Sequence, residues 1–197
     1  MSVSPVPGND ITERNSPRLT PPWRAWFDSI RSAINTAQDT LANPYGSFHD
    51  SSTQSITSTT DAYPITLNTT EISSGVTIGS VESQITVSKA GIYNVQFSAQ
   101  LVNVNTQEKD AQIWIRINGA DVPWSTGFVS VPSSHGGVSG HCLPSWNYFL
   151  TMAANDYVEF FWQATSTDVT LATFAAGTAP DTPETPSMIV TVIRVGV

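Results

Sequence analysis

The residues best suited to chemistry are concentrated between positions 135 and 142. His135, His141 and Cys142 all carry donor atoms that zinc accepts. The spacing His-x5-His-Cys fits no structural zinc pattern, however, and no second cysteine pair exists to complete one. No metal and no cofactor are assigned. Ser139 lies in the same stretch, in GGVSGHC. A nucleophile elbow needs Gly-x-Ser-x-Gly between a strand and a helix, and neither the spacing nor the helix is present. The twelve acidic residues between 45 and 197 are enough for a glycosidase carboxylate pair, but such enzymes need a long groove, for which this length leaves little room. No catalytic residue is assigned, and the expectation is a protein that is not an enzyme.

Composition narrows the classes further. Of 197 residues, 40% are apolar, 10% aromatic and only 12% charged, about half the usual charged share. Ser and Thr together number 48 and supply most of the polarity. Helical surfaces draw on Lys, Glu, Arg and Gln, whereas hydroxyl, β-branched and aromatic side chains suit a pleated, half-buried surface. The net charge of −8, with Lys only at Lys89 and Lys109, provides no basic stripe for phosphates and argues against nucleic-acid binding. The longest apolar run, Tyr157 to Trp162, contains Glu159 and is too short for a bilayer, so no membrane insertion is expected. MSVSPVPGND has no basic segment followed by an apolar one, which predicts a soluble protein without a secretory signal. The single cysteine, Cys142, fits a reducing cytosol.

Three segments follow from the patterning. Residues 1–20 contain three Pro and one Gly without hydrophobic periodicity, so they read as an extended arm that orders only against a partner. A helix is predicted over 21–42, with Thr20 as N-cap, Pro21 and Pro22 in the first turn and Asn43-Pro44 as the stop. Trp23, Trp26, Phe27, Ile30, Ile34, Ala37 and Leu41 form one apolar stripe. The heptad-like steps include Ala33 and Ala37 and span under three heptads, too little for an independent coiled coil. This stripe therefore needs another surface, either a docking partner or the protein's own domain.

From Tyr45 the period becomes two. In KAGIYNVQFSAQL, Tyr93, Val95, Phe97, Ala99 and Leu101 share one face of a strand. Further strands are predicted near 46–50, 63–68, 76–79, 83–87, 111–118, 145–151, 157–164, 168–173 and 187–195, separated by turns such as Asn118-Gly119, Gly136-Gly137 and Asn155-Asp156. About ten short strands without intervening helices imply a mainly β antiparallel sandwich or jelly roll over 45–197.

The pieces YGSFHD, ITVSKAGIYNVQFSAQL, AQIWIRINGADVP, WNYFLTMAANDYVEFFW and SMIVTVIRV resemble the trimeric jelly-roll superfamily of the complement globular head and tumour necrosis factor, in the form found in tailed-phage virion proteins. RLTPPWRAWFDSI resembles, over a shorter span, an anchoring segment of such proteins. The family more often has Gly-Asp where this chain has Asn155-Asp156, a small departure because Asn tolerates the left-handed conformation. The resemblance implies a homotrimer in a virion assembled in the bacterial cytoplasm, acting as a tail-associated fibre or spike. A capsid decoration protein and a carbohydrate-binding lectin-like module are the alternatives. Partners would be other virion proteins of tail or capsid, and a host surface glycan or protein.

Site residues follow from these expectations. Trp23, Trp26, Phe27 and Ile30 are the virion-docking candidates within the helix and linker, 21–44. Alternation sends Ile113, Ile115 and Ile117 inward and Trp114 and Arg116 outward; on the next strand Tyr157, Glu159 and Phe161 oppose Val158, Phe160 and Trp162. Large exposed aromatics favour a subunit interface, so Trp114, Arg116, Tyr157 and Phe161 are the trimer-interface candidates. The turn-rich segment from Asp121 to Pro144, with Trp124, Phe128, His135 and His141, reads either as a receptor-contact loop or as cover for a sheet edge. His49 reads as a partly buried polar residue, and Asn68-Thr69-Thr70 as a glycosylation sequon without meaning in a phage product.

Overall fold

The computed structural model describes residues 4–8, 11, 12, 18–41 and 43–196 of the 197. Positions 1–3, 9, 10 and 13–17 of the arm, Ala42 at the expected helix end and the side chain of Leu41 lie outside the described residues. The chain forms two compact units, Met1–Asn43 and Pro44–Val197.

In the first unit α1 spans Pro21–Leu41. The Arg24 N–H donates to the Thr20 carbonyl at 3.1 Å, and Pro21 and Pro22 bring no amide hydrogens that the first turn would leave unpaired. The first turn holds no acidic residue and the last no basic one, so charge does not complement the helix dipole and the apolar stripe must stabilise the helix. Trp23, Trp26 and Phe27 pack on one another with ring centroids 5.1–6.1 Å apart. Trp26 Nε1 donates to the Ser4 carbonyl at 3.0 Å, and Thr12 and Leu19 form an isolated antiparallel bridge. The described parts of the arm thus have partners within the chain itself.

The second unit contains β1 (Tyr45–Asp50), β2 (Gln54–Ser55), β3 (Tyr63–Pro64), β4 (Thr69–Ser74), β5 (Val76–Ile78), β6 (Ile85–Val87), β7 (Gly91–Ala99), β8 (Leu101–Asn103) and β9 (Lys109–Ile117). It continues with β10 (Ala120–Asp121), β11 (Gly127–Val131), β12 (Gly140–Cys142), β13 (Ser145–Met152), β14 (Tyr157–Ala164), β15 (Val169–Leu171), β16 (Gly177–Thr178), β17 (Asp181–Thr182) and β18 (Met188–Gly196). A five-stranded sheet has the order β13-β7-β18-β1-β4; a seven-stranded sheet has β10-β9-β14-β6-β5, with β11 added on β9 and β3 on β14. A third sheet, β12-β8-β15-β2, and the β16-β17 pair complete it. The protein is mainly β and its sheets are antiparallel.

Eight of these strands pair in a nested order. β1 lies beside β18, β6 beside β14, β7 beside β13 and β9 beside β11, so the first meets the last and the fourth meets the fifth. The two large sheets share one core. Tyr93, Val95, Phe97 and Ala99 of β7 and Val158, Phe160, Trp162 and Ala164 of β14 are buried in it, and the Phe97 and Phe160 rings meet at 5.0 Å. Each fully buried large side chain contributes roughly 1.5–3 kcal/mol. At the hairpin before β14, Asn155 takes φ +69°, which an Asn side chain tolerates.

Besides the two-residue strands, three strands lie where no alternation marks them. β4 is Thr, Glu and Ser around one Ile and is almost wholly exposed. β11 and β12 fall within the segment Asp121–Pro144, so that segment is two edge strands joined by turns; β11 pairs with β9 and β12 with β8. Glu159 differs from expectation as well. It alternates to the outer face yet is 6% exposed, because the turn before β6 covers it and Ser83 Oγ donates to Glu159 Oε1 at 2.7 Å.

Candidate functional site

The outer face of the five-stranded sheet carries exposed apolar side chains on several adjacent strands. Register across β13, β7, β18 and β1 aligns Phe149, Asn94, Ile193 and Tyr45 in one row, Asn147, Gln96, Thr191 and Ser47 in the next, and Ser145, Ser98, Ile189 and His49 in a third. Phe149 is 65% exposed and Ile193 42%. No Lys, Arg, Asp or Glu stands in these rows, so in a chain of net charge −8 these four strands offer little like-charge repulsion to another copy; the carboxylate of Glu71 stands on the neighbouring β4.

At its edge, His49 Nδ1 lies 2.9 Å from Glu71 Oε1. A groove of about 950 Å³ opens there, lined by His49, Glu71, Phe174, Glu184, Pro186 and Ile189. His49 is half-buried, in keeping with its sequence pattern.

The seven-stranded sheet treats its outward aromatics differently. Trp114 and Phe161 face outward but pack together at 6.1 Å, and the Arg116 guanidinium sits 3.8 Å above the Phe161 ring centre. Arg116 Nε and Trp114 Nε1 both donate to Asp121 Oδ1, at 2.6 and 2.9 Å. The Arg116 hydrogen bond, followed by that from Trp114, holds the Asp121 carboxyl below the usual carboxylate range. Tyr157 is half-buried beside them, its N–H donating to Asn118 Oδ1 at 3.0 Å. Trp114, Arg116 and Phe161 therefore form one self-covering cluster.

Beyond that cluster, Trp124 is fully exposed and its backbone has φ +65°. It follows Pro123 in a turn closed by the Ser125 N–H to the Val122 carbonyl at 3.3 Å, at the position that in a type II turn normally takes Gly or Asn. Ser125 is buried and fixes this turn: its hydroxyl accepts from the Ile115 N–H at 3.0 Å and donates to the Val122 carbonyl at 2.8 Å. Tyr148 Oη donates to the Ser125 carbonyl at 2.5 Å and itself accepts from Trp146 Nε1. Burial pushes the Tyr148 phenol up, so it remains a donor.

The remaining sequence-derived residues scatter. Phe128 lies on β11, 72% exposed and directly opposite Gln112 of β9. His135 shares a 2.8 Å hydrogen bond with Ser133 Oγ at a turn built on Gly136 and Gly137, both at positive φ. His141 instead packs 5.4 Å from the Phe174 ring. Burial raises the Cys142 thiol, and no group of three or more His, Cys, Asp or Glu suited to a metal occurs among the described residues. The sequon amide of Asn68 donates to Asp50 Oδ1 at 3.2 Å. Exposure of the five-stranded face and strain at Trp124 were both missed from sequence: alternation tells which way a side chain points, not what covers it.

No protein-family model matches this chain, and no curated protein matches it. Among the described residues no helix is long and apolar enough to cross a membrane.

Proposed function

We propose that this chain is a non-enzymatic structural protein of a tailed-phage virion, a homotrimer whose heads project from the particle while α1 docks into it. The observation that carries the assembly is the outer face of β13, β7, β18 and β1, whose aligned rows hold no Lys, Arg, Asp or Glu. Apolar patches of this kind are covered in stable proteins, and a second and third copy can cover these rows while Glu71, at the β4 edge, stays paired with His49. The proposed interface therefore centres on Phe149, Ile189 and Ile193 rather than on Trp114, Arg116 and Phe161, which cover one another, or on the half-buried Tyr157. The nested strand pairing supports the jelly-roll reading of the head, and the virion setting rests on the sequence resemblance.

Docking falls to Trp23, Trp26, Phe27 and Ile30. Phe27 is 43% exposed and Ile34 52%, so the stripe keeps apolar surface for a partner, and three copies on one trimer add avidity. The place in the particle is a tail-associated fibre or spike. Deleting residues 1–44 is expected to leave a soluble trimer that no longer incorporates into particles, as read by sedimentation and by particle composition. A monomeric product overturns the trimer, and normal incorporation overturns the docking role. Copy number tests the position: a few tens or fewer per particle agree with a tail appendage, and hundreds replace it with capsid decoration.

A further inference from the structure

Trp124 combines two costs that a structural residue avoids. An indole fully in water forfeits its burial, and a bulky side chain at φ +65° occupies a backbone region that favours Gly and Asn. Such conformations persist where surrounding contacts over-determine them, and they cluster at binding sites. Here Ser125 and Tyr148 supply those contacts from beneath, so the indole is held out on a rigid turn.

Beside it lies a cleft of about 320 Å³ lined by Gln112, Trp114, Asp121, Val122 and Thr126, at the small end of the range for small-molecule sites. Its polar groups are positioned but uncommitted. Asp121 is fixed through Oδ1 by Arg116 and Trp114, and among the described residues nothing donates to its Oδ2. The Gln112 amide and the Thr126 hydroxyl likewise have no side-chain hydrogen bond there. Phe128 lies outside this lining, across from Gln112 on the neighbouring strand.

An exposed aromatic plane next to a carboxylate, an amide and a hydroxyl suits a ligand with one C–H face and a rim of hydroxyls. We infer that this cleft binds a neutral pyranose ring, its C–H face stacked on Trp124 and its hydroxyls held by Gln112, Asp121 and Thr126. Axial C–H groups carry slight positive charge and meet the negative face of the indole. Asp121 Oδ2 accepts from a ring hydroxyl and Gln112 both accepts and donates. An anionic sugar is disfavoured, because Arg116 is engaged by Asp121 and Phe161 and the free carboxylate oxygen repels a second negative group. This inference rests on the reading of the Trp124 and Phe128 region as a receptor contact, not on trimer formation or on helix docking.

The test uses the full chain on an array of neutral, sialylated and sulfated oligosaccharides, followed by titration calorimetry with the best neutral one. Binding to neutral rings is expected, weakened at least about tenfold by Trp124→Ala, which corresponds to about 1.4 kcal/mol. Gln112→Ala is expected to weaken it several-fold. Trp124→Gly gives the sharper result, because Gly relaxes the left-handed turn: its melting temperature should stay level or rise while sugar binding is lost. No binding to any neutral glycan, preference for the sialylated or sulfated ones, or undiminished binding by Trp124→Gly overturns the site. Sedimentation of the same samples separates the failures: a trimer that binds no sugar removes this site alone, and a monomer that binds sugar removes only the assembly.

Discussion

The two outer faces of the head both carry large side chains and treat them in opposite ways. On the seven-stranded sheet an Arg lies over Phe161, an Asp receives Trp114 and Arg116, and the aromatics shield one another. On the five-stranded sheet Phe149, Ile189 and Ile193 stand largely among Ser, Thr, Asn and Gln, with Tyr45 and His49 beside them but no Lys or Arg in the aligned rows to fold over them. An outward aromatic is thus not itself an interface. What matters is whether its neighbours can reach across it, and a short hydroxyl or amide cannot do what an Arg stem does.

The strongest way to break this comparison is Ile193→Arg. A charge at the middle of the five-stranded face would be buried by assembly without a partner, so sedimentation should show monomers where the parent chain is trimeric. The isolated head should keep its stability within about 0.5 kcal/mol, since Ile193 is already partly in water. A surviving trimer would move the interface elsewhere. Phe97→Ala acts on the interior both faces share. With contacts to Trp146 and Phe160 at 4.6 and 5.0 Å, its loss should cost about 3–5 kcal/mol by urea unfolding, and a smaller cost would mean that the two sheets are less tightly joined.

Arg116→Ala sharpens the comparison from the other side, at about 0.5–1 kcal/mol and with the trimer intact. Its pH dependence has a definite sign. The Asp121 carboxyl lies below its ordinary value when folded, so its contribution is complete above the unfolded carboxylate pKa, near 3.9, and disappears as pH falls through the lower folded value. Removing Arg116 should flatten that acid-side loss in a pH series of melting curves. An unchanged acid limb would show that Arg116 does not hold Asp121.

Much of the architecture was legible because burial imposes a period. The stripe from Trp23 to Leu41 marked α1 nearly to its ends, and the alternation of Tyr93, Val95 and Phe97 marked β7 and its inward face. Legibility failed where burial does not select residues. β4 pairs through its backbone with almost every side chain in water, and β11 and β12 are edge strands whose pattern is diluted by Gly, Pro and Ser. Glu159 shows a second limit, since the covering turn with Ser83 is 76 residues away in sequence. Trp124 shows a third: its residue type was readable, but its left-handed backbone is held by the buried Ser125 that closes the turn and by Tyr148, 23 residues further on.

The central place of β18, between β7 and β1, bears on biosynthesis. Until residues 188–196 have been made, the five-stranded sheet has a gap in its middle, with the facing edges of β1 and β7 unpaired. The head must therefore close only after these residues leave the ribosome, and in the proposed trimer the contact between heads must wait longer still.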